Sequence, residues 1–137
     1  MLGVIIATHG EFGNVLLSTL NMILGDFEGV LSVTLSSEDS RETFMEKMEK
    51  GIQEVDPGGK GTLVLVDMLG GTPFNIAVQL AQTRKVEVVT GVNLPMLIKV
   101  SSHREETDLK FLAGEVQKAT RESIVTSMEL FKKQEQT

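Results

Sequence analysis

Residues 62–82 read TLVLVDMLGGTPFNIAVQLAQ, and this one stretch holds a complete unit of an alternating fold. Thr62–Val66 is a short apolar run with β-branched residues, as a strand covered on both faces requires. It stops at Asp67; Met68, Leu69 and two glycines follow, and a helical segment opens at Thr72 and Pro73. Thr72 can cap that helix, and Pro73 suits the first helical position because the N–H it lacks would have no partner there. Strands that run through short turns into helices, repeated along a chain, build a parallel sheet covered by helices on both faces.

The same unit recurs on either side. LGVIIA (2–7) is an apolar strand, followed by a helix over about Gly13–Leu24. There Val15, Leu16, Leu20, Ile23 and Leu24 recur at steps suited to one helical face, and Gly25 is placed to end it. VLSVTL (30–35) is a second strand. Asp39 or Ser40 caps the next helix, whose stripe is Phe44, Met48, Ile52 and Val55, and DPGGKG (56–61) is a turn. VEVVT (86–90) is a fourth strand, GVNLPMLIKV a loop and short helix, and a helix runs from Thr107 to about Arg121 with Leu109, Leu112, Val116 and Ala119 on one face. SIVTSMELF (123–131) is open to two readings: helix continuation, or a late edge strand favoured by Ile124-Val125-Thr126. The expectation is a single domain over residues 1–137 of the α/β class. Its sheet is doubly wound and mainly parallel, in the order 2-1-3-4, with an antiparallel C-terminal edge strand.

Composition excludes several kinds of function. The chain has no cysteine, which removes disulfides, thiolate metal sites and thiol catalysis. Its net charge is −6 and Lys132-Lys133 is the longest basic run near the end, so no stripe for nucleic acid is present. No apolar run approaches the roughly 18 residues of a membrane span, and no signal-peptide pattern opens the chain, so a soluble cytoplasmic protein is expected. With six Phe and no Trp or Tyr, the core is expected to be Val, Ile, Leu and Met.

The candidate chemistry lies at strand ends. In a doubly wound sheet the ligand crevice lies outside the carboxyl ends of the strands, where the winding reverses. His9 follows the first strand and Asp67 the third, and in the order 2-1-3-4 these strands are neighbours. Taken alone, His9 reads as a solvated or capping residue and Asp67 as a turn cap. Together at one crevice they form a His–carboxylate pair, in which the carboxylate fixes the tautomer and leaves the other ring nitrogen with a free lone pair. Gly10 lets a ligand or another backbone approach closely. Gly70, Gly71 and Thr72, at the start of a helix, offer free N–H groups and a hydroxyl to an anion. The GGTP segment is also an ordinary glycine turn, and it matches neither a Walker loop nor GxGxxG. Thr8 beside His9 has no evident activating arrangement and no GxSxG elbow exists. One His and one Asp fall short of a metal site, and His103 in SSHREE is read as a surface residue.

Thr8-His9-Gly10 closing the first strand, NMILG in the following helix, LVLVDMLGGTP and VVTGVNLPML occur in that order. As a set they make the sequence resemble the IIA component of the mannose family of the bacterial sugar phosphotransferase system, from residue 2 to about residue 100. The resemblance implies that His9 accepts a phosphoryl group from the histidine phosphocarrier protein and passes it to a IIB component, which supplies a IIC/IID membrane transporter. It implies that Asp67 bonds the active histidine, that Thr72 lies near the phosphoryl group with Gly70 and Gly71, and that no cofactor or metal takes part. It further implies a homodimer that exchanges a C-terminal strand, a role that SIVTSMEL matches in position. Docking of partner proteins needs an accessible apolar rim, for which Phe12, Met22, Met68, Leu69, Phe74 and Met96 are candidates, though each could equally be core. The chain carries no linker or second domain, so IIB is expected as a separate protein. Relatives of this fold also serve dihydroxyacetone kinase or regulation, and a non-covalent anion-binding module or a His–Asp hydrolase are the readings outside phosphoryl transfer.

Overall fold

The four apolar runs become the four strands of one sheet in the computed structural model, which describes residues 1–135. Strands β1 (Gly3–His9), β2 (Val30–Leu35), β3 (Thr62–Val66) and β4 (Val86–Thr90) lie in the order β2-β1-β3-β4, every neighbouring pair parallel. Helices α1 (Phe12–Leu24), α2 (Arg41–Val55) and α3 (Gly71–Thr83) connect them, and α4 (Leu94–Ser102), α5 (Leu109–Ser123) and α6 (Ser127–Glu135) follow β4.

Alternation along the strands sorts the core into two layers. Val4 and Ile6 of β1 with Leu63 and Leu65 of β3 pack against Leu16 and Leu20 of α1 and against α4 and α5. Ile5 and Ala7 with Val64 and Val66 face the other way, onto Phe44, Met48 and Ile52 of α2 and Ile76, Ala77 and Leu80 of α3. The two central strands are therefore apolar at successive positions, because helices cover both of their faces.

Local chemistry sets the helix starts. Ser40 caps α2 in a reciprocal box with Thr43, which settles the choice between Asp39 and Ser40. Asn93 caps α4 by accepting from the Met96 N–H, and Asp108 caps α5 by accepting from Phe111, one residue past the expected start at Thr107. Asp39 instead ties the loop before α2 together. Its carboxylate accepts from Lys47 Nζ (2.6 Å), the Ser36 N–H (2.8 Å) and the Thr43 hydroxyl (3.0 Å). Lys47 also donates to the Thr34 carbonyl on the outer edge of β2.

The antiparallel C-terminal strand is a correction: among the described residues it does not form. Residues 127–135 are helical, and Ile124–Thr126 are an extended link between α5 and α6. A second signal prevails over the β-branched trio, the spacing Thr126-Ser127-Met128-Glu129. Thr126 Oγ1 accepts from the Glu129 N–H (3.2 Å) and Glu129 Oε2 from the Thr126 N–H (3.4 Å), a capping box that starts a helix. No residue of α6 is buried, and Met128, Leu130 and Phe131 are exposed with Ile124 and Val125. Among the described residues no helix is long and apolar enough to cross a membrane.

The Lys47 ammonium, then the Ser36 N–H and the Thr43 hydroxyl, outweigh burial and hold the Asp39 carboxyl far below the usual carboxylate range. A group whose folded pKa is depressed stabilises the fold fully above its unfolded value, near 3.9, and loses that effect as pH falls through the folded value. Asp39→Asn is therefore expected to lower the thermal midpoint at pH 7, with the gap from wild type closing as pH is taken below the carboxylate range. A gap that stays constant with pH contradicts this role.

Candidate functional site

The pairing of β1 with β3 brings the proposed histidine and carboxylate together. Ala7 is opposite Val66, so the two strands leave their shared ladder side by side, with His9 and Asp67 just beyond. Asp67 Oδ2 accepts from the His9 backbone N–H (2.9 Å) and lies 2.8 Å from His9 Nδ1. An ionised carboxylate only accepts, so Nδ1 carries the ring proton and Nε2 keeps a lone pair. The histidine side chain is 47% exposed and the aspartate 12%, which leaves the ring reachable and its partner sheltered. Asp67 Oδ1 is buried with no protein partner, so the carboxylate's hydrogen bonding is directed at this one residue.

The free side of the ring lies against the start of α3. A Cβ placed on Gly71 would come 3.2 Å from His9 Cε1 and 3.4 Å from Nε2, and Gly71 has φ +85°. Gly71 thus supplies the close approach that the sequence assigned to Gly10. At Gly10 nothing lies within 4 Å of an added Cβ, and its glycine answers instead to φ +54° as the chain turns and donates its N–H to the Leu35 carbonyl (2.8 Å). Helix α3 begins earlier than expected, with Gly70 at the N-cap, Gly71 and Thr72 in the first two helical positions and Pro73 third. Thr72 is therefore not the cap. Paired glycines with positive φ carry the chain into the helix directly, and Pro73 costs nothing in a first turn whose N–H groups lack intrahelical acceptors. The Gly71 and Thr72 amides face the same end of the fold as Nε2, where the helix dipole contributes about 0.3–1 kcal/mol to holding an anion.

The expected rim divides in two. Phe12, Met68 and Leu69 are exposed in the segments that flank His9 and Asp67, and Met22, 87% exposed, lies farther along α1. Phe74 is half-buried against the α2–α3 layer. Met96 is a correction: at 1% exposure it belongs to the core between the sheet and α4–α5, because it shares the inward face of α4 with Leu97 and Val100. Val15, one helical turn after Phe12, is exposed as well and joins the rim; its place in a helical apolar pattern had counted it as core. His103 is half-buried rather than free on the surface. It ends α4, with Nδ1 3.2 Å from the Lys99 carbonyl and its ring 6.5 Å from Phe111, so it serves that corner of the fold. Among the described residues no group of three His, Cys, Asp or Glu is placed to hold a metal ion. The arrangement places an imidazole, bonded through Nδ1 to a carboxylate, beside a helix start with free N–H groups that could receive an anion.

Comparison with known proteins bears on the family and the fold. Residues 3–117 match the family model EIIA-man, described as the PTS system fructose IIA component. The chain is 32% identical, over 97% of its length, to the PTS system fructose-specific EIIA component of Bacillus subtilis, of which it covers 91%. It is 36% identical over 77% of its length to the PTS system mannose-specific EIIAB component of Escherichia coli K12, and spans 32% of that longer relative. The crystal structure of phosphotransferase system component EIIA from Streptococcus agalactiae matches with a TM-score of 0.86 at 30% identity, covering 94% of this chain and 99% of that one.

Gly71→Ala tests the geometry at the ring. The added methyl meets the ring edge and a backbone conformation unfavourable to alanine, so the ring is expected to move off Asp67. Histidine 15N NMR should then report loss of the single Nδ1–H tautomer in a folded protein. An unchanged ring spectrum contradicts the close approach.

Proposed function

The chain belongs to the EIIA-man family of phosphotransferase-system IIA components, and on that premise we propose that it is a protein phosphocarrier acting through His9. The donor is the phosphorylated histidine phosphocarrier protein. The His9 Nε2 lone pair attacks the phosphorus, the donor's P–N bond breaks, and its electron pair returns to the donor imidazole, which leaves neutral. His9 then carries the phosphoryl group on Nε2 and a positive ring charge, with its Nδ1 proton still bonded to Asp67. The same step in reverse delivers the group to a IIB component, which feeds a IIC/IID membrane transporter for sugar uptake. The reading puts the protein in the cytoplasm, where these partners meet, and it needs no cofactor.

One observation carries this reading: the 2.8 Å contact of Asp67 Oδ2 with Nδ1, which leaves the Nε2 of a half-exposed ring facing a helix start. Transfer between two imidazoles exchanges like bonds, so the protein has mainly to align donor and acceptor. Asp67 steadies the cationic ring while repelling the bound phosphoryl, which favours handing it on. Gly70, Gly71 and Thr72 receive the phosphoryl oxygens, and Phe12, Met68 and Leu69 form the surface on which partners seat, with Met22 farther out and Phe74 at its base.

A homodimer is part of the same reading. The apolar side chains of Ile124, Val125, Met128, Leu130 and Phe131 are exposed, and a cleft of about 610 Å³ runs between edge strand β4 and α5 near the start of that segment. A second copy of the chain would cover both. Light scattering at micromolar concentration is expected to give twice the monomer mass, and a monomer mass removes this part of the proposal.

Incubation with labelled phosphoenolpyruvate, enzyme I and the histidine phosphocarrier protein tests the carrier role. An acid-labile phosphoryl adduct is expected on the wild type and none on His9→Ala. Asp67→Ala should stay folded and transfer about 10–100-fold more slowly, the scale of loss when the hydrogen-bond partner of a metal-binding imidazole is removed. Failure of the wild type to label with several cognate carriers overturns the phosphocarrier reading. Onward transfer to a IIB protein, rather than to a subunit of dihydroxyacetone kinase, identifies sugar transport as the pathway served.

A further inference from the structure

Helix α1 begins without a cap from its own N-cap residue. Glu11 holds that position but makes no capping bond, and its carboxylate accepts from Asn14 Nδ2 instead (2.8 Å). The first amides of a helix have no carbonyl within it, and Gly13, at the second helical position, is buried. A buried N–H without a partner is strongly unfavourable. The partner comes from the strand: Thr8 Oγ1 accepts from the Gly13 N–H at 2.8 Å. Thr8 is fully buried and immediately precedes His9 in the chain.

This bond closes a short loop, residues 8–13, that contains the histidine. Three bonds hold the loop in place. The His9 N–H is held by Asp67, the Gly10 N–H by the Leu35 carbonyl, and the Gly13 N–H by Thr8. The first two fix the loop to the sheet, and among the described residues only the third is a hydrogen bond from the start of α1 to the strand end. The fit there is close. A Cβ on Gly13 would lie 2.7 Å from Ser32 Oγ and 3.0 Å from Thr8 Oγ1, so the helix rests directly on these two hydroxyls. Ser32 Oγ is itself buried and makes no hydrogen bond.

We propose that Thr8 is a positioning residue for His9: its hydroxyl replaces the missing cap of α1, and so holds the loop where one oxygen of Asp67 reaches both the His9 N–H and Nδ1. The kinetic consequence rests on the phosphocarrier reading, whereas the effect on the ring rests on geometry alone. Thr8→Val removes the hydroxyl at nearly constant volume, Thr8→Ala removes it without adding a buried methyl, and Thr8→Ser retains it. Ser32→Ala deletes the adjacent buried hydroxyl that bonds to nothing, and serves as the control for a purely structural loss.

Histidine 15N NMR on the unphosphorylated proteins reads the ring directly. Wild type, Thr8→Ser and Ser32→Ala are expected to show His9 as the Nδ1–H tautomer. Thr8→Val and Thr8→Ala should show a mixture of tautomers. Phosphoryl transfer by these two should fall roughly ten- to hundredfold, the scale of loss from a displacement of about 1 Å at a reacting atom. Wild-type ring shifts and transfer rates in both hydroxyl-free variants overturn the proposal, whatever happens to their melting temperatures. The same ring change in Ser32→Ala also overturns it. If the ring responds as expected while not even the wild type takes up phosphoryl, Thr8 keeps its role and the phosphocarrier reading falls.

Discussion

One carboxylate oxygen organises this site. Asp67 Oδ2 accepts two hydrogen bonds from the same residue, one from the backbone of His9 and one from its ring. The first fixes where the chain leaves β1, and the second fixes which ring nitrogen is free. Both require β1 and β3 to be adjacent and parallel, so that their carboxyl ends emerge together. The strand order thus bears on chemistry as much as on packing: had β4 lain beside β1, Asp67 would have faced no imidazole.

The rest of the fold serves to keep that pair in register. The central strands are apolar on both faces, so a slip of one residue would exchange the two core layers rather than expose either. Register is set more tightly by large side chains packed away from solvent, such as Phe44 and Met48 of α2, the helix that lies against β1 and β2. At the site itself polar bonds take over. Gly10 leans on Leu35, Thr8 holds Gly13, and Lys47 and Asp39 bind the loop that follows β2. None of these groups needs to touch a partner protein, yet each limits how far His9 can move.

Much of this was legible in the sequence because strands buried on both faces declare themselves as continuous β-branched runs, and because His9 and Asp67 fall where such runs stop. Four features were not. The C-terminal segment offered a β-branched trio and a capping box within six residues, and the box, a local hydrogen-bond pattern, determined the helix. Met96 was open to rim or core, and only the placing of α4 against the sheet turns the face it shares with Leu97 and Val100 inward. The glycines at 10 and 71 look alike in sequence and act differently. One bends the chain in open space and the other makes room for a ring, a distinction that exists only once strand and helix are placed. The bond from Gly13 to Thr8 was hidden for a related reason: the two residues are five apart, across a turn, and no helical or strand periodicity links them.

The proposed function rests on asymmetry in a single imidazole. With Nδ1 committed to Asp67, Nε2 is the nitrogen that points outward to the glycines of α3 and to any incoming donor. The account therefore stands or falls on which nitrogen reacts. Nitrogen-15 and phosphorus-31 NMR of the phosphorylated protein resolves this through the one-bond coupling between phosphorus and ring nitrogen. The account predicts a His9 adduct on Nε2 with the Nδ1 proton retained. An adduct on Nδ1, which would require the Asp67 bond to break, would contradict it.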